Sequence, residues 1–212
     1  KIFVAIAEQQ LSKAEKDVTK ELEDYRISLL KYRYEQLYVN ERLDTAVSVD
    51  KVEEYYLAHK ESFRLERPLV KARFLRIHTD SPMLETIRKK MDSSDANDLV
   101  EADSLAFSSA MMFTTWQDEW QDVIILAREM GMTYDSMLGQ VRNGWVRQDD
   151  TTGVTNLAFV SEMLKSGDYA PMEYTSERIK DIIISTRKQA LISSLEQDLL
   201  NDARENGQLV IH

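Results

Sequence analysis

A heptad-spaced apolar stripe between Leu11 and Asp44 constrains this chain more than any other feature. Its apolar residues recur at helical spacing, and no glycine or proline interrupts them. They are Leu11, Ala14, Val18, Leu22, Tyr25, Leu29, Tyr32, Val39 and Leu43. Ser12 and Glu15 have the spacing of a capping box. We therefore predict one helix over Leu11–Asp44, about 50 Å long at about 1.5 Å per residue.

The second half of this predicted helix is also apolar beside the stripe. The additional residues are Ile27, Leu30, Tyr34, Leu37 and Tyr38. A rod of this length extends past any core that so short a chain can build around it. We expect a long helix near the other end of the sequence to cover most of the tyrosines. The part that stays uncovered is then a candidate binding surface.

Composition excludes several classes of function. The 212 residues carry a net charge of −10, which argues against nucleic acid and against anionic membrane surfaces as partners. No apolar run is long enough for a membrane-spanning helix. The histidines His59, His78 and His212 lack a second ligand at metal spacing, and the six glycines form no phosphate-binding loop. We therefore predict no metal and no cofactor.

The absence of cysteine removes disulfides and thiol nucleophiles, and it suits an extracytoplasmic protein that avoids stray thiols. The chain opens on the apolar run from Ile2 to Ala7 with no helix cap before it. We interpret this opening as the end of a helix whose start is missing, in a processed or truncated form whose leader is either removed or absent. The expected location is the periplasm or another extracytoplasmic compartment.

The rest of the chain predicts a mixed α/β segment followed by a long helix. Strands are expected at 69–78, with Val70, Ala72 and Phe74 on one face, and at 145–148 and 156–160. The pattern of the last segment fits the start of a helix through Leu164 equally well. Trp116–Trp120 is interpreted as an aromatic loop. Helices are expected at 48–63, 83–91, 96–111, 123–130, 134–142 and 177–205, with a terminal strand at Leu209–Ile211.

These elements predict an α+β fold that is predominantly α. Long N- and C-terminal helices pack together as one domain, 1–67 plus 171–212, and a small mixed α/β insertion occupies 68–170. Nine methionines are present, and several of them cluster in the insertion. Methionine fills irregular cores and also suits adaptable binding surfaces, and core filling is the favoured interpretation.

Two segments resemble SurA-like periplasmic foldases of the parvulin-type peptidyl-prolyl isomerase family. Ser48–Tyr56 with Lys60–Phe63 is similar to the helix that precedes their parvulin domain. Pro171–Ile211, which includes Glu177–Lys180 and the closing Leu209–His212, is similar to their C-terminal return helix and strand. The resemblance covers about half of the chain. It implies a chaperone part built from the terminal helices around a parvulin-like insertion.

The insertion departs from the family pattern at the positions that carry catalysis. Phe74 stands where the first parvulin strand has an active-site histidine, and Asn156–Phe159 replaces the segment that brings a second one. The catalytic Cys or Asp and the glycine-rich signature have no counterpart. The resemblance therefore implies a degenerate parvulin region and a chaperone role.

We thus expect an ATP-independent periplasmic holdase for unfolded or outer-membrane protein clients. Two alternatives stay open: a divergent peptidyl-prolyl cis-trans isomerase, and a helical structural module that pairs with a fixed partner or with itself as a homo-oligomer. The expected client-binding residues are Tyr25, Leu29, Tyr32, Tyr34, Leu37, Tyr38, Tyr55 and Tyr56.

Overall fold

A computed structural model describes residues 1–141 and 144–207 and shows an α+β chain that is mostly helical. The predicted terminal strand Leu209–Ile211 lies outside these residues. The helices are α1 Ile2–Gln10, α2 Thr19–Arg42, α3 Val49–Ala58, α4 Leu84–Met91, α5 Ala96–Ser109, α6 Val123–Met130, α7 Tyr134–Gln140 and α8 Met172–Glu205, with a 3-10 turn at Lys60–Phe63. The strands are β1 Leu69–His78, β2 Met112–Asp122, β3 Gly144–Asp149 and β4 Val154–Leu164.

By its internal contacts the chain divides into two units. The first contains Lys1–Ser48 and the sequence from Lys180 onward, and the second is Val49–Ile179. The second unit therefore includes α3 and the start of α8, which the sequence analysis grouped with the terminal helices. The domain bounds 1–67 plus 171–212 and 68–170 stay a prediction.

The second unit is built on an antiparallel four-stranded sheet in the order β2-β1-β4-β3. Strand β1 is central, and the predicted alternation along it is confirmed. Val70, Ala72 and Phe74 pack on one face with α6 and α7, whereas Leu75 and Ile77 pack on the other with α4 and α5. Helices on both faces bury β1 almost completely, so its alternation separates two cores instead of core and solvent.

Most of the clustered methionines fill the first of these cores, as the sequence favoured. Met130 and Met137 are fully buried, and Met112, Met132 and Met163 pack partly buried against the same cluster. Met111, in contrast, is 57% exposed.

The loop predicted at Trp116–Trp120 is wrong, because these residues belong to β2. The pairing of β2 with β1 is irregular there: Val70 lies opposite Gln121, and Ala72 lies opposite Trp116. Ser161 of β4 donates hydrogen bonds at this point to the Lys71 carbonyl oxygen and to the Gln117 side-chain oxygen. An edge strand with a bulge needs no strict apolar alternation, which explains why the sequence pattern missed it.

The single helix predicted over Leu11–Asp44 is also wrong, because α1 ends at Gln10 and α2 begins only at Thr19. The capping box does form: the Ser12 amide donates to the Glu15 carboxylate at 2.8 Å, and the Glu15 amide donates to the Ser12 hydroxyl oxygen at 3.3 Å. These bonds close a turn and not a helix. At about 1.5 Å per residue, α2 is about 36 Å long instead of about 50 Å.

Helix α8 begins earlier than the predicted residue 177. Pro171 directly precedes its first residue, Met172, and accepts hydrogen bonds from the Tyr174 and Thr175 amides. The Thr175 hydroxyl donates back to the carbonyl oxygens of Pro171 and Met172 instead of capping the helix. Proline at a helix start leaves no amide unsatisfied, so the extra turn forms at little cost.

Candidate functional site

The described residues of the first unit bury few apolar side chains. Only Val39 on α2 and Leu195 on α8 are buried there, at 4% and 6% exposure. Burial of two side chains supplies little of the free energy that folds a unit of this size. The remaining apolar side chains of this unit keep contact with water.

Helix α1 shows this exposure most clearly, because none of its residues is buried. Phe3 is 89% exposed and Ile2 is 78% exposed. The helix has no side-chain cap at Lys1 and no charged residue in its first turn to stabilise it. A short helix of this composition is marginal alone in water and gains stability from packing against another apolar surface.

The predicted client-binding residues on α2 are mostly exposed. Tyr25, Tyr32, Tyr34 and Leu37 are each more than half exposed, and Leu29 is 38% exposed. The expectation that the terminal helix covers most of the tyrosines is therefore wrong. The remaining member, Tyr38, is half-buried.

Tyr38 contacts Arg42 of its own helix. The Arg42 guanidinium lies over its ring, 4.5 Å from the centroid, and donates a 3.3 Å hydrogen bond to its hydroxyl oxygen. A cation over an aromatic face restrains the ring without covering it completely. Tyr38 therefore borders the exposed surface of α2.

A groove between α2 and α8 lies within this unit. Its cavity volume is about 450 Å³, and apolar side chains supply most of its surface. Its lining residues are Lys31, Tyr34, Glu35, Leu195, Glu196, Leu199 and Leu200. Of these, only Tyr34 was predicted as a site residue. Leu195 and Leu199 follow the apolar stripe of the last helix, which was the available signal for the α8 wall.

Charged groups border the apolar groove. The Lys31 ammonium lies 2.9 Å from a Glu196 carboxylate oxygen on α8 and 3.6 Å from one of Glu35 on its own helix. The hydrogen bond to Glu196 and the two negative charges raise the pKa of Lys31. The pair is exposed, so it fixes the two helices relative to each other more than it stabilises the unit.

A second set of hydrogen bonds connects α8 to the residues that follow α2. The Arg187 guanidinium donates to the carbonyl oxygens of Asp44 and Ala46 at 2.9 and 2.7 Å, and to the Asp44 carboxylate at 3.3 Å. These bonds satisfy backbone carbonyls in the connector after α2, which regular structure leaves unpaired.

A smaller hollow of about 220 Å³ lies on α2 itself, and its lining includes Tyr25, Leu29 and Leu30. Arg26 and Arg33 complete its wall. Two predicted residues, Tyr25 and Leu29, are thus brought together at one place on the helix surface.

The last two predicted residues, Tyr55 and Tyr56, belong to the second unit and pack locally. The Tyr56 hydroxyl donates to the Ala170 carbonyl oxygen at 2.7 Å, and its ring stacks on Phe63 with centroids 5.7 Å apart. Tyr55 stacks on His59 at 4.1 Å. Tyr55 and Tyr56 belong to the second unit, whereas the predicted residues of α2 belong to the first.

The position where the family resemblance places a catalytic histidine is filled by apolar side chains. Phe74 is fully buried and lies directly opposite Ala158 of β4, which is also fully buried. Val123, Met130 and Met137 belong to the same core cluster. Neither Phe74 nor Ala158 carries a group that can donate, accept or transfer a proton.

Among residues 1–141 and 144–207, no group of three or more His, Cys, Asp or Glu side chains is arranged to hold a metal ion. Within the same residues, no helix has the length and hydropathy required to cross a bilayer.

The known proteins to which this chain is similar are distant from it in sequence. No protein-family model matches the sequence, and a search of curated proteins found no match. Two similar solved structures come from work on the virulence factor PEB4 and the periplasmic protein Cj1289, described as structurally related SurA-like chaperones of Campylobacter jejuni. One is 16% identical over 100% of this chain and 81% of that chain, with a TM-score of 0.37. The other is 13% identical over 94% and 68%, with a TM-score of 0.36.

Proposed function

We propose that this protein is an ATP-independent chaperone that binds unfolded polypeptide segments on the apolar helix surface of its first unit. One observation supports the proposal above all others. Large apolar side chains are exposed along α1 and α2, while only Val39 and Leu195 are buried among the described residues of that unit. Apolar surface of this extent on a protein in water marks an interaction site.

Unfolded polypeptide is the partner class that suits this surface best. Tyrosine and leucine dominate it, and tyrosine combines an apolar ring with a hydroxyl that can remain in water. The groove offers apolar walls bordered by Lys31, Glu35 and Glu196. Such a surface accepts many apolar side chains without demanding one sequence, because few directional groups select among them.

The energetics favour repeated capture and release. Covering about 300 Å² of apolar surface yields about 7.5 kcal/mol at about 25 cal/mol per Å². Association costs at least about 4 kcal/mol of this gain. About 3.5 kcal/mol remains, which corresponds to a Kd in the millimolar range for one segment. Several segments of one unfolded chain that bind together raise the overall affinity, and each still dissociates without nucleotide hydrolysis.

Net charge supports the same role. A chain of charge −10 repels its own copies, which opposes self-association through the exposed apolar residues. A periplasmic location and outer-membrane protein clients belong to this proposal. Fractionation of cells that produce the native protein tests the location.

Aggregation of an unfolded client tests the function. A β-barrel outer-membrane protein is diluted from urea into buffer without nucleotide, and light scattering is followed with and without equimolar protein. We expect slower and smaller scattering in the presence of the protein. Scattering equal to that of the client with serum albumin as a bystander contradicts the chaperone proposal.

Sedimentation distinguishes the structural-module alternative from the chaperone proposal. We expect the client-free protein to sediment as a monomer, because a dimer formed through α1 and α2 would cover the proposed client surface. A concentration-independent dimer that buries α1 and α2 replaces the proposal with self-pairing.

A further inference from the structure

A cavity of about 260 Å³ in the second unit has a buried apolar floor and a rim of arginines. The floor is formed by Phe63, Leu65 and Leu69, each less than 10% exposed. The volume lies below the range of about 300–1,000 Å³ that is usual for drug-sized ligands. The cavity therefore suits a single residue or a similarly small group.

Two of the three rim arginines already have partners. Arg64 donates to Glu61, to the Gly167 carbonyl oxygen and to the Tyr169 hydroxyl oxygen. Arg67 donates to the Asp122 carboxylate at 2.6 Å. Each of these two guanidiniums is thus paired with a carboxylate of the protein, Arg64 with Glu61 and Arg67 through its Nε with Asp122.

The third rim arginine, Arg178 on α8, is different. Within the described part of the chain, its guanidinium has no hydrogen bond or ion pair. Its Cζ atom lies over the Phe63 ring, 5.9 Å from the ring centroid. A guanidinium presents donors in a planar fork that matches the two oxygens of a carboxylate. An arginine held against an aromatic ring at a cavity rim keeps this fork available.

Tyr174 lies one helical turn before Arg178 and also lines the cavity. Its hydroxyl makes no hydrogen bond to the described residues. Burial and the nearby Asp122 charge raise its pKa, so the hydroxyl keeps its proton and remains a donor. Residues at i and i+4 lie on the same helix face, so both donors belong to one side of the cavity.

The charged side chains around the cavity are mostly paired with one another. Arg64 is paired with Glu61, and Arg67 is paired with Asp122, which also accepts from the Ile124 amide. Glu66 is the remaining carboxylate of the lining. Among the described residues, Arg178 is therefore the lining arginine that has no ion pair, and it is the group that an entering carboxylate would meet.

We propose that this cavity binds a carboxylate-bearing residue of a peptide, with the carboxylate on Arg178 and Tyr174 and the adjoining apolar side chain over Phe63. The carboxylate comes either from the C-terminus of the peptide or from an internal Asp or Glu. The cavity lies in the second unit, so the inference does not depend on the apolar surface of the first unit.

Peptide titration followed by NMR tests the site on the full chain. Four peptides are compared: Ac-Gly-Gly-Phe with a free carboxylate, its C-terminal amide, and the amidated Ac-Gly-Glu-Phe-Gly and Ac-Gly-Gln-Phe-Gly. The backbone amide signal of Leu65, which lines the cavity and is present in every variant, is the probe. We expect a free carboxylate to shift this signal, and the arm that binds more tightly identifies the source. The two neutral peptides should bind at least about tenfold more weakly, because a charge-assisted hydrogen bond is lost.

Arg178→Gln should weaken carboxylate binding about tenfold or more, and Arg178→Lys should give an intermediate loss because it keeps the charge without the fork. Arg128→Gln on α6 is the matched control, since it removes an equal charge from an exposed arginine in the same unit. Circular dichroism confirms that each variant is folded.

Several results overturn the site. They are equal affinity of the charged and neutral peptides, unchanged affinity in Arg178→Gln, equal losses in Arg178→Gln and Arg128→Gln, and no shift with any peptide at millimolar concentration. Failure of this site leaves the chaperone assay unaffected, because that assay reports on the first unit.

Discussion

Replacing the apolar wall of the groove should remove segment binding while leaving the helices intact. The perturbation is the triple substitution Tyr34→Gln, Leu199→Gln and Leu200→Gln. The three residues are 51%, 48% and 48% exposed, so an arriving segment can still cover about half of each. Glutamine forms helices well, and the substitution therefore costs α2 and α8 little propensity.

The expected loss follows from the area that each side chain leaves uncovered. Complete burial of a large apolar side chain contributes about 1.5–3 kcal/mol. Half of that is about 1 kcal/mol per residue, or about 3 kcal/mol for the three. This loss weakens binding by about 100-fold at about 1.4 kcal/mol per factor of ten. A segment that binds wild type in the millimolar range should then show no measurable binding.

The assay is an NMR titration with an apolar, aromatic-rich peptide, and the Leu195 methyl groups serve as the probe. The matched control variant is Val100→Gln, Phe107→Gln and Met111→Gln. It removes three residues that are 67%, 83% and 57% exposed in the second unit.

The groove variant should lose the titration, and the control should keep it. Equal affinity in wild type and the groove variant, or equal losses in the two variants, refutes the argument that the groove binds segments. The client aggregation assay provides a second readout, in which the groove variant should suppress scattering less than the control does.

Three further predictions concern the second unit. Phe74→Ala should lower the free energy of unfolding of this unit by about 3–5 kcal/mol, because it leaves a cavity between helices and sheet. Urea unfolding followed by circular dichroism measures this loss. A loss below about 1 kcal/mol contradicts the packing described. The protein should not accelerate X-Pro isomerisation of a test peptide, because Phe74 and Ala158 supply no polar group. Without a catalyst the peptide isomerises over tens to hundreds of seconds, and faster isomerisation with the protein present restores the isomerase alternative. Hydrogen bonds from Lys90 and Ser93 lower the pKa of Asp98, so its charge contributes stability above the unfolded pKa of about 3.9 that is lost as the pH falls through the folded pKa. Asp98→Asn should therefore be less stable than wild type at neutral pH and equal to it in strong acid, and a difference that persists unchanged in acid counts against this linkage.

The pattern of neighbouring residues in the sequence was sufficient to predict most helices and strands of the second unit. The strand Leu69–His78 and the two faces of its alternation follow from side chains that point to opposite sides at successive residues. Helix α6 ends where the sequence predicts, because Gly131 adopts a positive φ of 69° that L side chains disfavour. Both features depend on a few neighbouring residues, so the sequence contains what is needed to predict them.

Burial could not be predicted in the same way. The sequence marks Tyr25, Tyr32 and Tyr34 as apolar and helical but does not specify which neighbour covers them, and the structure leaves all three exposed. The break between α1 and α2 has the same origin, because a capping box promotes a helix start only when the following residues gain enough from packing. The sequence already shows Phe74 where the resemblance places a histidine, and the structure adds that Phe74 is buried opposite Ala158.

The sequence by itself determined the period of each segment, the sign of the net charge and the surplus of apolar side chains at the N-terminal end. Only the tertiary structure decided where that surplus faces water and that Leu199 and Leu200 of α8 share a groove with Tyr34. It also decided that Arg178 lines a cavity without an ion pair to any of the described residues. The physical reason is that periodicity arises within one segment, whereas exposure and pairing depend on residues distant in sequence.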